Sequence, residues 1–436
     1  MNKYLKNIFF FLLFPTIAYS QQVVRKVGIE ELFHLAALNS KELDISRQHI
    51  GINSTKTKQI KTERLPKFSA GISAGYIGNA TILEPNFNFS EKVDVPHFTN
   101  SYEIEGSLVL YQGNRIKNRI AQSMLGEELA VLEYDQDEER IKLLLLGRYM
   151  ELYSLYSSQK VYAKNMELAK VRLKNIEGLN RQGMVTKNDI IRSQLQITDL
   201  EVQADQVDND IAIINKELVI VLGLPEHTII EIDEEMNTEN LNVLSYDEYL
   251  KNAFNNSPAI KANVVRKSVA DYAIKISKAE RLPTLDLYAG SGLNRPFMNS
   301  LPPKNIYLNL YQVGIRLRYD VSSLYQTKEK IKMAEQQRDQ QRTVAEHIEE
   351  QVEIAVNSAY VKFNESRKER DRREMASLLA DDNYRIIEKK YLNQLALITD
   401  ILDASTAKIS ADLNLAIADA KIVYQWYLLQ KVSGKL

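Results

Sequence analysis

Glu63-Arg64-Leu65-Pro66 returns as Glu280-Arg281-Leu282-Pro283, 217 residues later. The same offset sets Glu31 on Glu248, Ala36 on Ala253 and Ser40 on Ser257. Each stretch reads as a short helix, a brief break and a second helix that ends at the Leu-Pro. Pro258 suits the first position of that second helix in the later copy. Further along, Gly106 and Tyr111 fall on Gly314 and Tyr319 at an offset of 208, and Asp189-Ile190 and Gly223 fall on Asp400-Ile401 and Gly434 at 211. Matches that keep their order while the offset drifts by a few residues mark an internal duplication, with the length changes falling in loops.

Each copy carries two alternating segments. Phe68, Ala70, Ile72, Ala74 and Tyr76 alternate with small or polar residues, and Tyr102, Ile104, Gly106, Leu108 and Leu110 alternate with Glu103, Glu105 and Ser107. In the later copy Leu285, Leu287 and Ala289 begin one such run, and Tyr311, Val313, Ile315, Leu317 and Tyr319 form another. A period of two predicts strands with one apolar and one polar face, at about 68–77, 101–111, 285–293 and 307–319. Segments of this length suit the wall of a membrane barrel, and a soluble antiparallel sheet shows the same alternation. The links 78–100 and 290–306, with Pro85, Asn86, Pro96, Pro302 and Pro303, read as long surface loops.

After each strand pair comes a proline-free stretch, from about Asn114 to Leu179 and from Ser323 to Tyr391. At ~1.5 Å per residue such a helix is roughly 100 Å long. Each turns back into a returning helix, closing helical hairpins at about 114–222 and 323–432. Apolar residues keep a 4-3 spacing in the returning helices: Leu200, Ala204, Val207, Ile211, Ile214, Leu218 and Val221 in one, Leu402, Thr406, Ile409, Leu413, Ala416, Ala420 and Val423 in the other. That spacing is a coiled-coil seam. The run Lys368-Glu369-Arg370-Asp371-Arg372-Arg373 is broken by acids and reads as a solvated face, not a nucleic-acid patch.

The rest of the composition narrows the function class. Lys3 and Lys6 precede an apolar run from Ile8 to Ile17, and Ala18-Tyr19-Ser20 follows, which predicts a secretory signal peptide over residues 1–20. Without cysteine there is no lipid-modified N-terminal Cys, no disulfide and no thiolate metal site. No later apolar run is long enough for a transmembrane helix. A formal net charge of −1 gives no long-range attraction to nucleic acid. His34, His49, His97, His227 and His347 are scattered without metal-ligand spacing, and neither a nucleophile motif nor a phosphate-binding loop is present. The expectation is a protein that is not an enzyme and needs no cofactor or metal.

The predicted organisation is a signal peptide at 1–20, a first repeat at 21–223, a linker at 224–244 with a possible short strand around Ile229-Ile230-Glu231-Ile232, and a second repeat at 245–436. Four strands cannot close a membrane barrel, for which about eight is the minimum, and an open edge cannot stand in lipid. If these strands cross a membrane, several chains share one barrel.

In this order and duplication the chain resembles the TolC family of outer-membrane efflux proteins, over essentially the whole mature sequence. The resemblance implies a mainly α fold with a β-barrel part, in which three protomers make a 12-stranded barrel in the outer membrane of a Gram-negative bacterium and a 12-helix periplasmic tunnel. It implies passive export, with outer-membrane lipid around the barrel and a periplasmic adaptor and an inner-membrane pump as partners. Segment 224–245 resembles the family's equatorial region.

The resemblance also directs attention to the helix-to-helix turns. In Arg181-Gln182-Gly183-Met184-Val185-Thr186, Gly183 suits a helix C-terminus, and Thr186 with Asp189 has capping-box spacing. In the second turn Asp400 and Asp403 share one helix face and can act locally on the helix dipole. The family pattern Asp-(Val/Ile)-Leu-Asp-Ala implies instead that both aspartates ring a tunnel entrance, where acids favour cations and crowding raises their pKa. Two departures stand out: Gln394 where some TolC-like turns carry Gly, and Ala396 where they carry an Arg that locks neighbouring helix pairs. Tyr391 and hydrogen bonds are the expected substitutes. Arg192, at the repeat position of Asp403, is expected to pair with an acid at the tip. Met184, Val185, Leu395 and Leu397, beside Gly183 and Gln394, suit either adaptor contact or packing between subunits. The rival reading of the whole chain is a periplasmic coiled-coil scaffold without transport, which leaves the duplicated strands unexplained.

Overall fold

The computed structural model describes residues 23–233 and 243–436. The expected signal peptide and part of the linker lie outside the described residues. In chain order the elements are β1 (Val23–Val27), α1 (Ile29–Asn39), α2 (Lys41–Lys61), β2 (Lys67–Tyr76), β3 (Ala80–Leu83), β4 (Phe89–Val93), β5 (Phe98–Tyr111), α3 (Arg115–Arg181) and α4 (Lys187–Val221). Then come β6 (Thr228–Ile232), α5 (Tyr246–Asn256), α6 (Pro258–Ala279), β7 (Thr284–Arg295), β8 (Leu308–Arg318), α7 (Ser323–Leu392) and α8 (Ile398–Val432). The four long helices have 67, 35, 70 and 35 residues. No described helix is long and apolar enough to cross a membrane.

The chain divides into two compact units, and each draws on both sequence copies. Among the described residues, one comprises 23–41, 140–233, 243 and 359–429; the other comprises 42–139, 244–358 and 430–436. The first unit holds β1, α1, the distal parts of α3 and α7, α4, α8 and β6. Its seams are those of the 4-3 stripes: Leu200, Ala204 and Val207 of α4 and Ile409 and Leu413 of α8 meet Tyr162 and Ala169 of α3 in one core cluster. Strand β1 runs parallel to β6, pairing Val23 with Thr228 through Val27 with Ile232. The pair is fastened to the helices by side chains aimed at backbone. The fully buried Tyr149 donates its Oη hydrogen to the Val27 carbonyl at 2.5 Å and accepts from the Asp233 N–H at 3.3 Å. Asn215 brackets β6, donating to the Thr228 carbonyl and accepting from the Ile230 N–H.

Helices α7 and α8 are stitched by a polar ladder. Asp381 binds Lys408, Ser377 donates to Asp412 at 2.6 Å, Arg370 to Asp419 at 3.1 Å, and Lys421 to Glu369 at 2.7 Å. As one partner steps down α7 the other steps up α8, as an antiparallel pair in constant register requires. The pair Arg370–Asp419 has a counterpart in the first hairpin, where Gln159 donates to Asp208 at 2.6 Å.

The second unit is organised around an antiparallel sheet of order β2-β5-β7-β8. The repeated Glu-Arg-Leu-Pro corner feeds β2 and β7, and its glutamates reach the helices that follow each strand pair. Glu63 holds Arg119 of α3 at 2.8 Å, and Glu280 holds Lys330 of α7 at 2.5 Å. The repeated glycines Gly106 and Gly314 each lie opposite an aromatic residue, Phe68 and Tyr288 respectively. A Cβ at either glycine would fall 2.8–2.9 Å from the ring, so the ring covers the bare backbone.

Two loops are more ordered than their composition suggests. Within 78–100, β3 and β4 form a hairpin, with Ala80 opposite Val93 and Leu83 opposite Phe89. Four and five residues give too little alternation to stand out against the surrounding turn formers. Residues 290–295 continue β7 rather than opening a loop. Gly290 and Gly292 sit there opposite Glu105 and Glu103, on the polar face where no side chain is needed for packing.

Candidate functional site

Two features of the chain are unlike a self-sufficient globular domain: the faces of the sheet and the helix tips.

The register sorts the sheet residues into two faces. One carries Phe68, Ile72 and Tyr76 of β2, Tyr102, Ile104 and Leu108 of β5, Leu287 and Ala289 of β7, and Tyr311, Val313 and Ile315 of β8. The other carries Lys67, Glu103, Glu105, Asp286, Arg316 and Arg318 among serines and glycines. Both faces are open in the chain by itself, and on the apolar one Phe68, Ile72, Tyr76 and Tyr311 are 79–84% exposed. From Phe68 to Tyr76 the band runs about 27 Å at ~3.4 Å per residue, matching a tilted strand across a hydrocarbon layer. Among the described residues, strands β2 and β8 have no sheet neighbour on their outer sides, so both leave backbone donors and acceptors unpaired.

The tips lie in the first unit. At the end of α3 the Met184 N–H reaches the Leu179 carbonyl and the Gly183 N–H reaches Asn180, and at the end of α7 Leu395 reaches Lys390 and Gln394 reaches Tyr391. Both are Schellman terminations, which place a left-handed residue just past the helix. Gly183 takes φ +72° without strain, whereas Gln394 takes φ +61° with a side chain to accommodate. Thr186 and Asp189 form a complete capping box at the start of α4. Asp400 does half of the same work, accepting the Leu397 N–H at 2.8 Å.

Between the turns lies an apolar cluster of Ile176, Tyr384, Tyr391, Ile398, Ile401 and Ala404, with Val185, Ile190 and Ala396 packed on it. Tyr391 and Asp189 are thus brought together. Burial, and then the Asp189 carboxylate, push the Tyr391 phenol up, against a downward pull from Arg172. Val185 is tied into this cluster, while Met184, Leu395 and Leu397 are exposed. Arg192 and Asp403 are exposed, and neither makes a hydrogen bond or ion pair among the described residues.

Charged groups that no sequence motif marks lie beneath the tips. Arg172 of α3 is only 5% exposed; its Nη2 donates to Gln196 of α4, while Nε and Nη1 are buried without partners. Lys408 of α8, equally buried, pairs with Asp381 and lies 5.5 Å from the Tyr384 ring. Burial pushes the Tyr384 phenol to about 12, offset in part by Arg172. Its hydroxyl donates to Glu388 at 3.1 Å. A signal was present for Lys408: it continues the row Ile401, Ala404, Ser405, whose other members are all buried.

An exposed apolar sheet face, open sheet edges and long paired helical hairpins are features that known proteins share. The OprN outer-membrane channel superposes with a TM-score of 0.76 at 14% identity, covering 94% of this chain and 90% of that one. The outer membrane protein VceC from the bacterial pathogen Vibrio cholerae gives 0.76 at 14%, covering 93% and 96%. The CmeC outer membrane channel of Campylobacter jejuni gives 0.74 at 14%, covering 93% and 85%. Residues 249–435, within the second copy, match the family of outer membrane efflux proteins. The resemblance to the TolC family is thereby borne out, and the chain has that family's duplicated, mainly helical fold with a strand portion. No curated protein sequence matches the chain.

Proposed function

We propose that the chain is one protomer of a homotrimeric outer-membrane channel, a passive export duct serving a tripartite efflux or type I secretion system. The observation that carries this reading is the four-stranded sheet with a bare apolar band and two free edges. Three copies bring twelve strands, and pairing β8 of one copy with β2 of the next removes every edge. The apolar face then meets lipid, and the face with Glu103, Glu105, Arg316 and Arg318 lines an aqueous lumen. Pump and adaptor supply energy and connection, with Met184, Leu395 and Leu397, beside Gly183, Val185 and Gln394, as contacts at the tips.

In this reading the periplasmic gate comprises Tyr391, Asp189, Asp400, Asp403 and Arg192. Asp189 and Asp400 already have capping partners, so the unpartnered Asp403 and Arg192 are the pair free to act between subunits. The test of the whole reading is fractionation of cells and conductance in planar bilayers. An outer-membrane, heat-modifiable oligomer with pores is expected; a soluble periplasmic monomer sinks it. For the gate, Arg192→Ala should raise conductance and antibiotic leakage, and unchanged values would remove Arg192 from it.

A further inference from the structure

We propose that Arg172 is an opening-promoting residue of the tip: its buried guanidinium works against the packing of the two helical hairpins and favours their separation. The inference deepens the channel reading and rests on it for its consequence in transport.

Arg172 lies one helical turn before Ile176, which packs against Tyr384 and Tyr391 of α7. A guanidinium has five N–H donors and stays charged at any ordinary pH, so it cannot escape burial by losing a proton. Here Nη2 donates to Gln196 of its own hairpin, the Tyr384 phenol of α7 is the other hydrogen-bonding group that approaches it, and Nε and Nη1 meet no acceptor at hydrogen-bond geometry. The groups facing it from α7 are the Tyr384 and Tyr391 phenols and the carboxylate of Glu388. The carboxylate is shared, since it accepts the Tyr384 hydroxyl. A second buried cation, Lys408, stands against the same Tyr384 ring. Burial outweighs these contacts and draws the Arg172 guanidinium below its ordinary pKa. The site is thus net hostile to the charge it holds.

Separation of the hairpins lets water reach Nε and Nη1 and removes that penalty. Apolar neighbours such as Ile176, Ile401 and Ile398 hold the packed state; Arg172 weakens it. Replacing a buried charge by an apolar side chain of similar length is neutral or stabilising when the charge is poorly paired. A residue that pinned the hairpins together would behave in the opposite way.

The test compares Arg172→Met with Arg172→Lys in the full-length oligomer. Hydrogen exchange of the α7 amides over residues 384–392 reads tip separation without any transport. Arg172→Met should slow that exchange by about tenfold or more and raise the melting midpoint. Arg172→Lys puts a cation that can shed its proton in the same place, and should slow exchange less than Arg172→Met does. Faster exchange with a lower melting midpoint in Arg172→Met would overturn the proposal, because Arg172 would then be a pin. Unchanged exchange would overturn it as well. In planar bilayers Arg172→Met should lower open probability by a similar factor. Absence of wild-type pores would defeat the channel reading and leave the exchange result standing.

Discussion

The ion pair of Lys408 with Asp381 offers an asymmetric test of how the second hairpin is held. The Lys408 side chain is 6% exposed and that of Asp381 is 34% exposed. Removing the carboxylate and removing the ammonium are therefore different perturbations. In Asp381→Asn an ammonium remains in the interior beside the Tyr384 ring without its counter-charge, and breaking a buried pair in this way costs about 3–5 kcal/mol. Because Asp381 reaches solvent, water can enter from that side, and a cost of about 2–3 kcal/mol is the discounted expectation. In Lys408→Met the buried charge leaves, the stem is replaced by one of similar length, and Asp381 keeps its ion pair with Arg385 at 2.9 Å; the expected change is within about 1 kcal/mol of zero. At roughly 2–4 °C per kcal/mol, Asp381→Asn should melt about 4–12 °C lower, with Lys408→Met near wild type. Circular dichroism melts of the purified oligomer decide it. The lysine also holds the Asp381 carboxyl below its ordinary pKa. A depressed carboxylate pKa gives stability that is present above the unfolded value, about 4, and lost as pH falls through the folded one. Asp381→Asn should accordingly lose part of the wild type's acid sensitivity below about pH 4. Equal destabilisation by the two substitutions would refute the reasoning, since it would mean that exposure does not decide which partner matters.

Four other substitutions test local steps. Gln394→Gly should stabilise the second turn by about 1 kcal/mol, by relieving a left-handed side chain, as thermal melts would register. Gly223→Ala should cost more than Gly183→Ala in the same melts, because a Cβ at 223 would lie 2.9 Å from Asn39 while one at 183 meets nothing within 4 Å. Tyr149→Phe should cost about 1–3 kcal/mol by stranding the buried Val27 carbonyl, as read by denaturant unfolding. The Tyr149 phenol, pushed by burial to about 12 from an ordinary 10, contributes stability that is complete below pH 10 and lost as pH rises through 12. Tyr149→Phe should remove that alkaline component.

The duplication and the strand alternation were legible because each repeats a local constraint. Glu63 and Glu280 recur because each pins a long helix, and Gly106 and Gly314 recur because each lies beneath an aromatic ring. The seam residues were legible because 4-3 spacing is a property of one helix, and Leu200 and Ile409 do meet in one core. What could not be read were relations between distant elements. Nothing local to β1 announces a parallel partner 205 residues away, where Val23 meets Thr228. The β3–β4 hairpin is too short to show its period. Arg172 looks like any helix surface arginine; only the approach of α7 buries it.

The two copies diverge most where the charge is buried. The repeat position of Lys408 is Ile197, itself a buried member of the first hairpin's core. That of Arg172 is Asn383, which is exposed. An apolar core position in one copy has become a cation in the other, and a surface position in one has become a buried cation in the other. Both cations converge on Tyr384. The capping geometry of the turns, by contrast, is kept: Schellman hydrogen bonds end α3 and α7 alike, and Asp189 and Asp400 cap the returning helices at equivalent positions. Duplication thus accounts for how each hairpin turns. The contact between the two hairpins is not duplicated: Ile176 packs there with Tyr384 and Tyr391, and Arg172 is the buried cation beside them. A change at Tyr384 reaches both hairpins at once, because its ring packs with Ile176 of α3 and, in its own hairpin, with Ile398, Ile401 and the Lys408 ammonium.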